Sequence, residues 1–143
     1  MNNVIISDAD ALIALFSKSD ANHQKAKQTL SLLSDQNENT YFPVSAIGEA
    51  ITASQRRLSD PLLAETITKK TINGNLPMLP VDQEIIILAG SLFNPHGSKQ
   101  NTFLDAIVAA MAKKYKAAAI FSFDKWYSKQ GFTLASSFVG LRR

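Results

Sequence analysis

Five acidic residues stand where a folded chain could turn them into a working site. Asp8 and Asp10 directly follow the short apolar run Val4-Ile5-Ile6-Ser7. Asp124 follows a second such run, Ala118-Ala119-Ile120-Phe121-Ser122, in the same manner. Glu49 interrupts a stretch of small and aliphatic residues, Ser45 to Ala53, and shares a helical stripe with Ser45, Thr52 and Ala53. Asp105 opens Phe103-Leu104-Asp105-Ala106-Ile107-Val108-Ala109-Ala110-Met111, with no further charge until Lys113. Each acid taken singly has a plain structural explanation. Asp8 or Asp10 could cap the helix that follows, Asp124 could cap the segment after it, and Thr102-x-x-Asp105 has the spacing of a capping box. Taken together they suggest more. Like charges brought close raise one another's pKa values, so a gathering of acids calls for a counter-charge. An all-oxygen donor set suits Mg²⁺ or Mn²⁺. Such an ion can activate water against a phosphodiester and stabilise the leaving oxygen.

The elements that would position these acids can be read from the pattern. Short β-branched apolar runs (Val4–Ser7, Thr40–Pro43, Leu76–Pro80, Ala118–Ser122, and a weaker Phe132–Leu134) alternate with helical periods. The helices are expected over 11–16, 22–33, 45–58, 61–72, 82–93 and 102–115. Ser45 is the expected cap of the third, and Asp60-Pro61 marks the start of the fourth. This alternation predicts a three-layer α/β/α sandwich around a mainly parallel sheet of four to five strands, in one domain spanning 1–143. In such folds ligands bind beyond the carboxyl ends of the strands, where Asp8 and Asp124 would lie.

Composition excludes several alternatives. The chain of 143 residues has no cysteine, which removes disulfide scaffolds, thiolate metal sites and thiol nucleophiles, and fits a reducing compartment. Its two histidines, His23 and His96, lie far apart, and both are expected to be ordinary surface or loop residues. No signal peptide or membrane span is expected. The net charge of +3 is compatible with a polyanionic partner but does not demand one. The candidate cations are Arg56-Arg57, Lys69-Lys70, Lys113-Lys114, Lys125, Arg142-Arg143 and the Ser98-Lys99-Gln100 loop, with Lys99 and Lys125 flanking the acids. Trp126, Tyr127 and Phe132 could stack bases or pack the sheet edge.

Four segments resemble the PIN-domain nucleases, in particular the VapC-type toxin ribonucleases. Val4–Leu15 is similar to the opening strand, first acid and helix of that family. Ser45–Ala50 resembles the helix bearing the second acid, Phe103–Ala112 the third acid with its alanine-rich helix, and Ile120–Lys125 the strand and Ser-x-Asp step carrying the fourth. Their order and spacing extend the resemblance over essentially the whole chain. It implies a divalent-metal-dependent endoribonuclease in the cytoplasm, often a homodimer, with an antitoxin partner encoded beside it. Asp8, Glu49, Asp105 and Asp124 would be the catalytic and metal-holding acids, with Mg²⁺ or Mn²⁺ as cofactor and Ser122 and Asp10 in support. The chain departs from the family in Ala9 and Asp10, which stand where small hydroxylated or amide residues are usual. Two rival readings accompany this one. A PIN-like module could bind RNA or protein without cutting. Asp8-Ala9-Asp10 also fits the Asp-x-Asp start of phosphatases that form an aspartyl phosphate, although no late acidic pair follows.

Overall fold

The computed structural model of the chain describes residues 2–141. Four strands, β1 (Val4–Ser7), β2 (Asn39–Pro43), β3 (Met78–Leu79) and β4 (Ala119–Phe121), form a parallel sheet in the order β3-β2-β1-β4. Helices α1 (Ala9–Phe16) and α2 (His23–Asp35) connect β1 to β2, and α3 (Val44–Gln55) and α4 (Pro61–Ile72) connect β2 to β3. Helices α5 (Gln83–Leu92) and α6 (Phe103–Lys114) return the chain to β4, which is followed by α7 (Trp126–Lys129) and α8 (Ala135–Leu141).

The central strands read as continuous apolar runs because both of their faces are covered. Ile5, Ala119 and Phe121 face one layer, packed with Ala11, Ala14, Ala26 and Leu33 of α1 and α2 and with Ala135 and Val139 of α8. Ile6 and Ile120 alternate to the opposite face, against Ile85 and Ala89 of α5 and the buried run Ala106–Ala112 of α6. Residues 106–112 of α6 are all buried, and four of these seven are alanines, whose small side chains let the helix lie close against the sheet. A third cluster joins Leu12 and Ile13 of α1 to Ile47 of α3, Leu63 and Ile67 of α4, and Phe42 of β2. The expected sandwich is therefore present, and among the described residues no helix is long and apolar enough to cross a membrane.

Several local expectations are corrected. Phe132–Leu134 is not a strand: Leu134 makes a single parallel bridge to Ile120, between the turn at Gly131 (φ 94°) and the start of α8. The strand near Leu76–Pro80 shrinks to Met78–Leu79, since Pro77 and Pro80 have no N–H to give a ladder. Ser45 does not cap α3. Pro43, with φ −55°, ends β2 and leads into the helix at Val44, leaving the Ser45 hydroxyl buried without a hydrogen-bond partner. His23 is not a surface residue. It begins α2 beneath α1, where its buried Nδ1 donates to the Ala14 carbonyl at 2.7 Å. Helix α8 went unread because seven residues hold only two turns of pattern.

The order β3-β2-β1-β4 has a direct consequence for function. The chain leaves β1 toward β2 on one side and returns to β4 on the other. The switch point, where connections diverge and a crevice opens, lies at the carboxyl ends of β1 and β4.

Candidate functional site

All five acids singled out above line one cavity of about 510 Å³ at that switch point. Its wall also includes Ala9, Ile13, Ala53, Arg57, Lys99, Gln100 and Thr102.

Asp8 is the residue between β1 and α1. It caps α1, its Oδ1 accepting the Ala9 N–H at 2.7 Å, while its Oδ2 accepts the Tyr127 hydroxyl at 2.7 Å. The helix cap and the cavity acid are thus one residue, and the positive helix end suits its charge. Asp10, two residues on, reaches across to the end of β4. Its Oδ2 accepts the Ser122 hydroxyl at 2.9 Å and the Phe123 N–H at 2.8 Å, while its Oδ1 accepts the Ala11 N–H. Ser122 Oγ in turn accepts the Asp124 N–H at 3.0 Å, so Asp10 and Ser122 together fix the turn that carries Asp124. Asp124 accepts the Trp126 N–H on Oδ1 and the Asn101 amide on Oδ2, both at 2.9 Å. Asp105 closes the expected capping box, its Oδ2 accepting the Thr102 N–H at 2.9 Å. Its Oδ1 lies 3.5 Å from the Tyr127 hydroxyl. Glu49 projects from α3 beside Ala53 and Arg57, at the junction with a shallower groove over Ser45, Gly48, Thr52, Arg56 and Leu104.

The electrostatics follow from this crowding. Burial pushes the Asp8 carboxyl well above the usual carboxylate range; the charge of Asp10 adds to the push, and the Tyr127 hydrogen bond opposes it. Burial likewise raises Asp10, against hydrogen bonds from Phe123, Ser122 and Ala11. Asp105 is raised by burial, with Thr102 pulling down and the charge of Asp124 pushing up. Glu49 is raised to about 7 by burial and by the charges of Asp105 and Asp10, with the Arg57 cation moderating the rise. Gathering these charges costs free energy in the protein by itself.

Oxygen-only donors under mutual repulsion suit a hard divalent cation. Among the described residues, however, no group of three or more His, Cys, Asp or Glu side chains is arranged to hold a metal ion directly. Both oxygens of Asp8, Asp10 and Asp124 already accept from protein donors. The donor set therefore fits an ion of the Mg²⁺ kind, which takes one or two carboxylates and keeps most of its waters.

The profile of the PIN domain matches residues 5–132. The chain belongs to the PIN domain family. A search of curated protein sequences found no significant match. Among solved structures, the Mycobacterium tuberculosis VapC20 toxin, described as cleaving the sarcin-ricin loop, superposes with a TM-score of 0.75 at 21% identity, over 90% of this chain and 96% of its own. VapBC2 from Rickettsia felis, bound to a promoter DNA fragment, gives a TM-score of 0.61 at 11% identity, covering 92% and 96% of the two chains. A toxin–antitoxin complex from Klebsiella pneumoniae gives 0.56 at 16% identity over 85% and 87%. At these identities the likeness is one of fold, and it places this chain's PIN fold beside VapC toxins.

Three members of the site went unread in the sequence. Tyr127, expected to stack bases or pack, packs, and its hydroxyl also holds Asp8. Asn101 lies in the expected loop, and no local pattern signals that its amide reaches Asp124. Arg57 was one of many cations. It lies eight residues after Glu49, in the turn just past the end of α3, and lines the same cavity. Of the other cations, Lys99 lines the cavity, whereas Lys125 is exposed at the start of α7 outside that lining. Lys69 pairs with Glu65, and Lys114 with Glu84 and Asp82, away from the site. Arg142 and Arg143 lie outside the described residues.

Proposed function

We propose that the protein is a divalent-metal-dependent endoribonuclease, the toxin of a toxin–antitoxin pair. The observation that carries this reading is the convergence of Asp8, Asp10, Glu49, Asp105 and Asp124 on one cavity at the switch point of a PIN fold. Membership of the family and the fold shared with VapC toxins support the same activity.

In this reading Asp8, Asp105 and Asp124 hold Mg²⁺ or Mn²⁺, directly or through its waters, and Glu49 completes the cluster from α3. When bound, the ion supplies a Lewis acid for the phosphate and a lowered pKa for a water. The side chains contribute position and charge. Asp10 and Ser122 keep Asp124 in place through the β4 turn. Arg57 and Lys99, on the cavity wall, offer positive charge to the phosphates of an RNA strand. The partners of this reading are RNA as substrate, an antitoxin protein and a second copy of the chain, in the cytoplasm.

The test is cleavage of a labelled, structured RNA by the purified protein in Mg²⁺, Mn²⁺ or EDTA, beside an Asp105→Asn control. The expected result is cleavage that requires metal and is lost in the variant. Asp105→Asn leaves an amide oxygen for the Thr102 N–H, so the fold should persist. Cleavage that survives EDTA, or full activity in the variant, would overturn the assignment.

A further inference from the structure

The Tyr127 side chain is wholly buried and, among the described residues, is the largest fully buried side chain. Its ring packs edge-on to Trp126, with centroids 5.2 Å apart, inside the core cluster formed with α5 and α6. A phenylalanine would fill that space equally well. The hydroxyl is therefore the part that packing does not explain. Burying it without a partner would be costly, and its partners here are two acids.

Those acids come from different elements. Asp8 ends β1 and Asp105 begins α6. Each uses one oxygen on its own helix N-terminus, Asp8 on Ala9 and Asp105 on Thr102. The remaining oxygen of each turns to the same hydroxyl, at 2.7 Å for Asp8 Oδ2 and 3.5 Å for Asp105 Oδ1. A phenol has one proton to donate. The shorter distance gives that bond to Asp8, and the longer one keeps Asp105 within reach of the same donor. The turn after β4 sets the hydroxyl in place: the Tyr127 N–H donates to the Asp124 carbonyl at 3.4 Å, so the ring is anchored to the residue bearing a third acid. Tyr127 thus touches, by backbone or side chain, the three acids that arrive from β1, α6 and β4.

We propose that Tyr127 is a positioning residue: its hydroxyl, spanning Asp8 and Asp105, sets the spacing and orientation of these two carboxylates and thereby the affinity of the cavity for a divalent cation. This inference rests on the metal-dependent reading above. Hydrogen bonds that orient ligating carboxylates are worth about 10–100-fold in metal affinity.

The experiment is calorimetric titration of Mn²⁺ into wild-type protein, Tyr127→Phe, and a variant carrying 4-aminophenylalanine at 127, which restores a donor at the same place. Tyr127→Phe should bind Mn²⁺ at least about 10-fold more weakly, and the amino variant should recover most of that loss. A role in packing alone would leave the affinity unchanged, because the ring remains. Affinity in folded Tyr127→Phe equal to that of the wild type would overturn the inference while leaving the metal reading intact. Wild-type protein that takes up no Mn²⁺ would overturn both. Should Tyr127→Phe fail to fold, the buried hydroxyl proton of the wild type can be followed by NMR during addition of Mg²⁺. A shift of that resonance supports the inference, and an unmoved resonance overturns it.

Discussion

Two cavities of this molecule are similar in scale and differ in how their side chains come together. The acid-lined cavity, of about 510 Å³, sits where β1 and β4 end. The second, of about 370 Å³, lies where α1 and α2 meet β2 and the segment after α4; Leu15, Phe16, Leu30, Phe42, Leu76 and Pro77 line it together with polar side chains that include Glu38 and Lys70. The apolar part of the second cavity is made of side chains that gain by leaving water, and it follows from how the surrounding elements pack. The acid cavity is made of side chains that lose by approaching one another, and it persists because helix caps, a strand turn and a buried phenol hold each carboxylate in place. A recess assembled against its own electrostatics is the stronger indication of chemistry, since structural stability alone gives no reason for it.

The largest effect that could break this contrast is at Asp8. Asp8→Asn should lower RNA cleavage by at least about 10²-fold, the scale of losing a positioned acid–base or ion-orienting group. Its fold should be retained, since an amide oxygen still accepts from Ala9 and a repelling charge is gone. Parallel measurements of cleavage rate and melting temperature check this, and a variant that cuts RNA at the wild-type rate would remove Asp8 from the mechanism.

A smaller effect should appear in stability against pH. Glu49 titrates near 7 in the folded protein and near 4.5 unfolded, so the folded state binds the extra proton between those values. Stability contributed by that proton is fully present below about pH 4.5 and is lost as pH rises through about 7. Glu49 is partly exposed, and solvent screening trims its share to roughly 1–2 kcal/mol. Asp8, Asp10 and Asp105 are raised too and act in the same direction. Urea denaturation of metal-free protein at pH 5 and pH 8 should show the decline, and Glu49→Gln should flatten it. A variant with the same slope as the wild type would mean that the strain resides elsewhere in the cavity.

The smallest effect belongs to the second cavity. Leu30 is partly buried there, and Leu30→Ala should cost about 1 kcal/mol, below the range for fully buried leucines. RNA cleavage should be unchanged. Loss of cleavage at full stability would show that the two cavities are coupled, and that the contrast between them is drawn too sharply.

Much of the architecture was legible without coordinates. Val4–Ser7 and Ala119–Phe121 are continuous apolar runs because helices cover both of their faces, and that pattern is written in residue types. Asp60-Pro61 and Thr102-x-x-Asp105 mark helix starts by local hydrogen bonding, and the helices begin there. Features that depend on a distant neighbour were not legible. His23 looks like a polar helix residue until Ala14 covers it. Phe132–Leu134 has the composition of a strand, but Gly131 and α8 leave it room for one bridge.

The acids divide along the same line. Residue type, order and spacing alone determined that Asp8, Glu49, Asp105 and Asp124 would stand at strand ends and helix faces, since the period of 2 in strands and 3.6 in helices is a local property. Only the tertiary structure decided which of them share a cavity, because that depends on the strand order β3-β2-β1-β4, which brings residues 8 and 124 to adjacent strand ends. It alone made Asp10 a strap across to Ser122 and Phe123, and Tyr127 the donor between Asp8 and Asp105. These bonds join residues up to 119 positions apart, and a hydrogen bond is formed by distance and direction, which no local pattern carries.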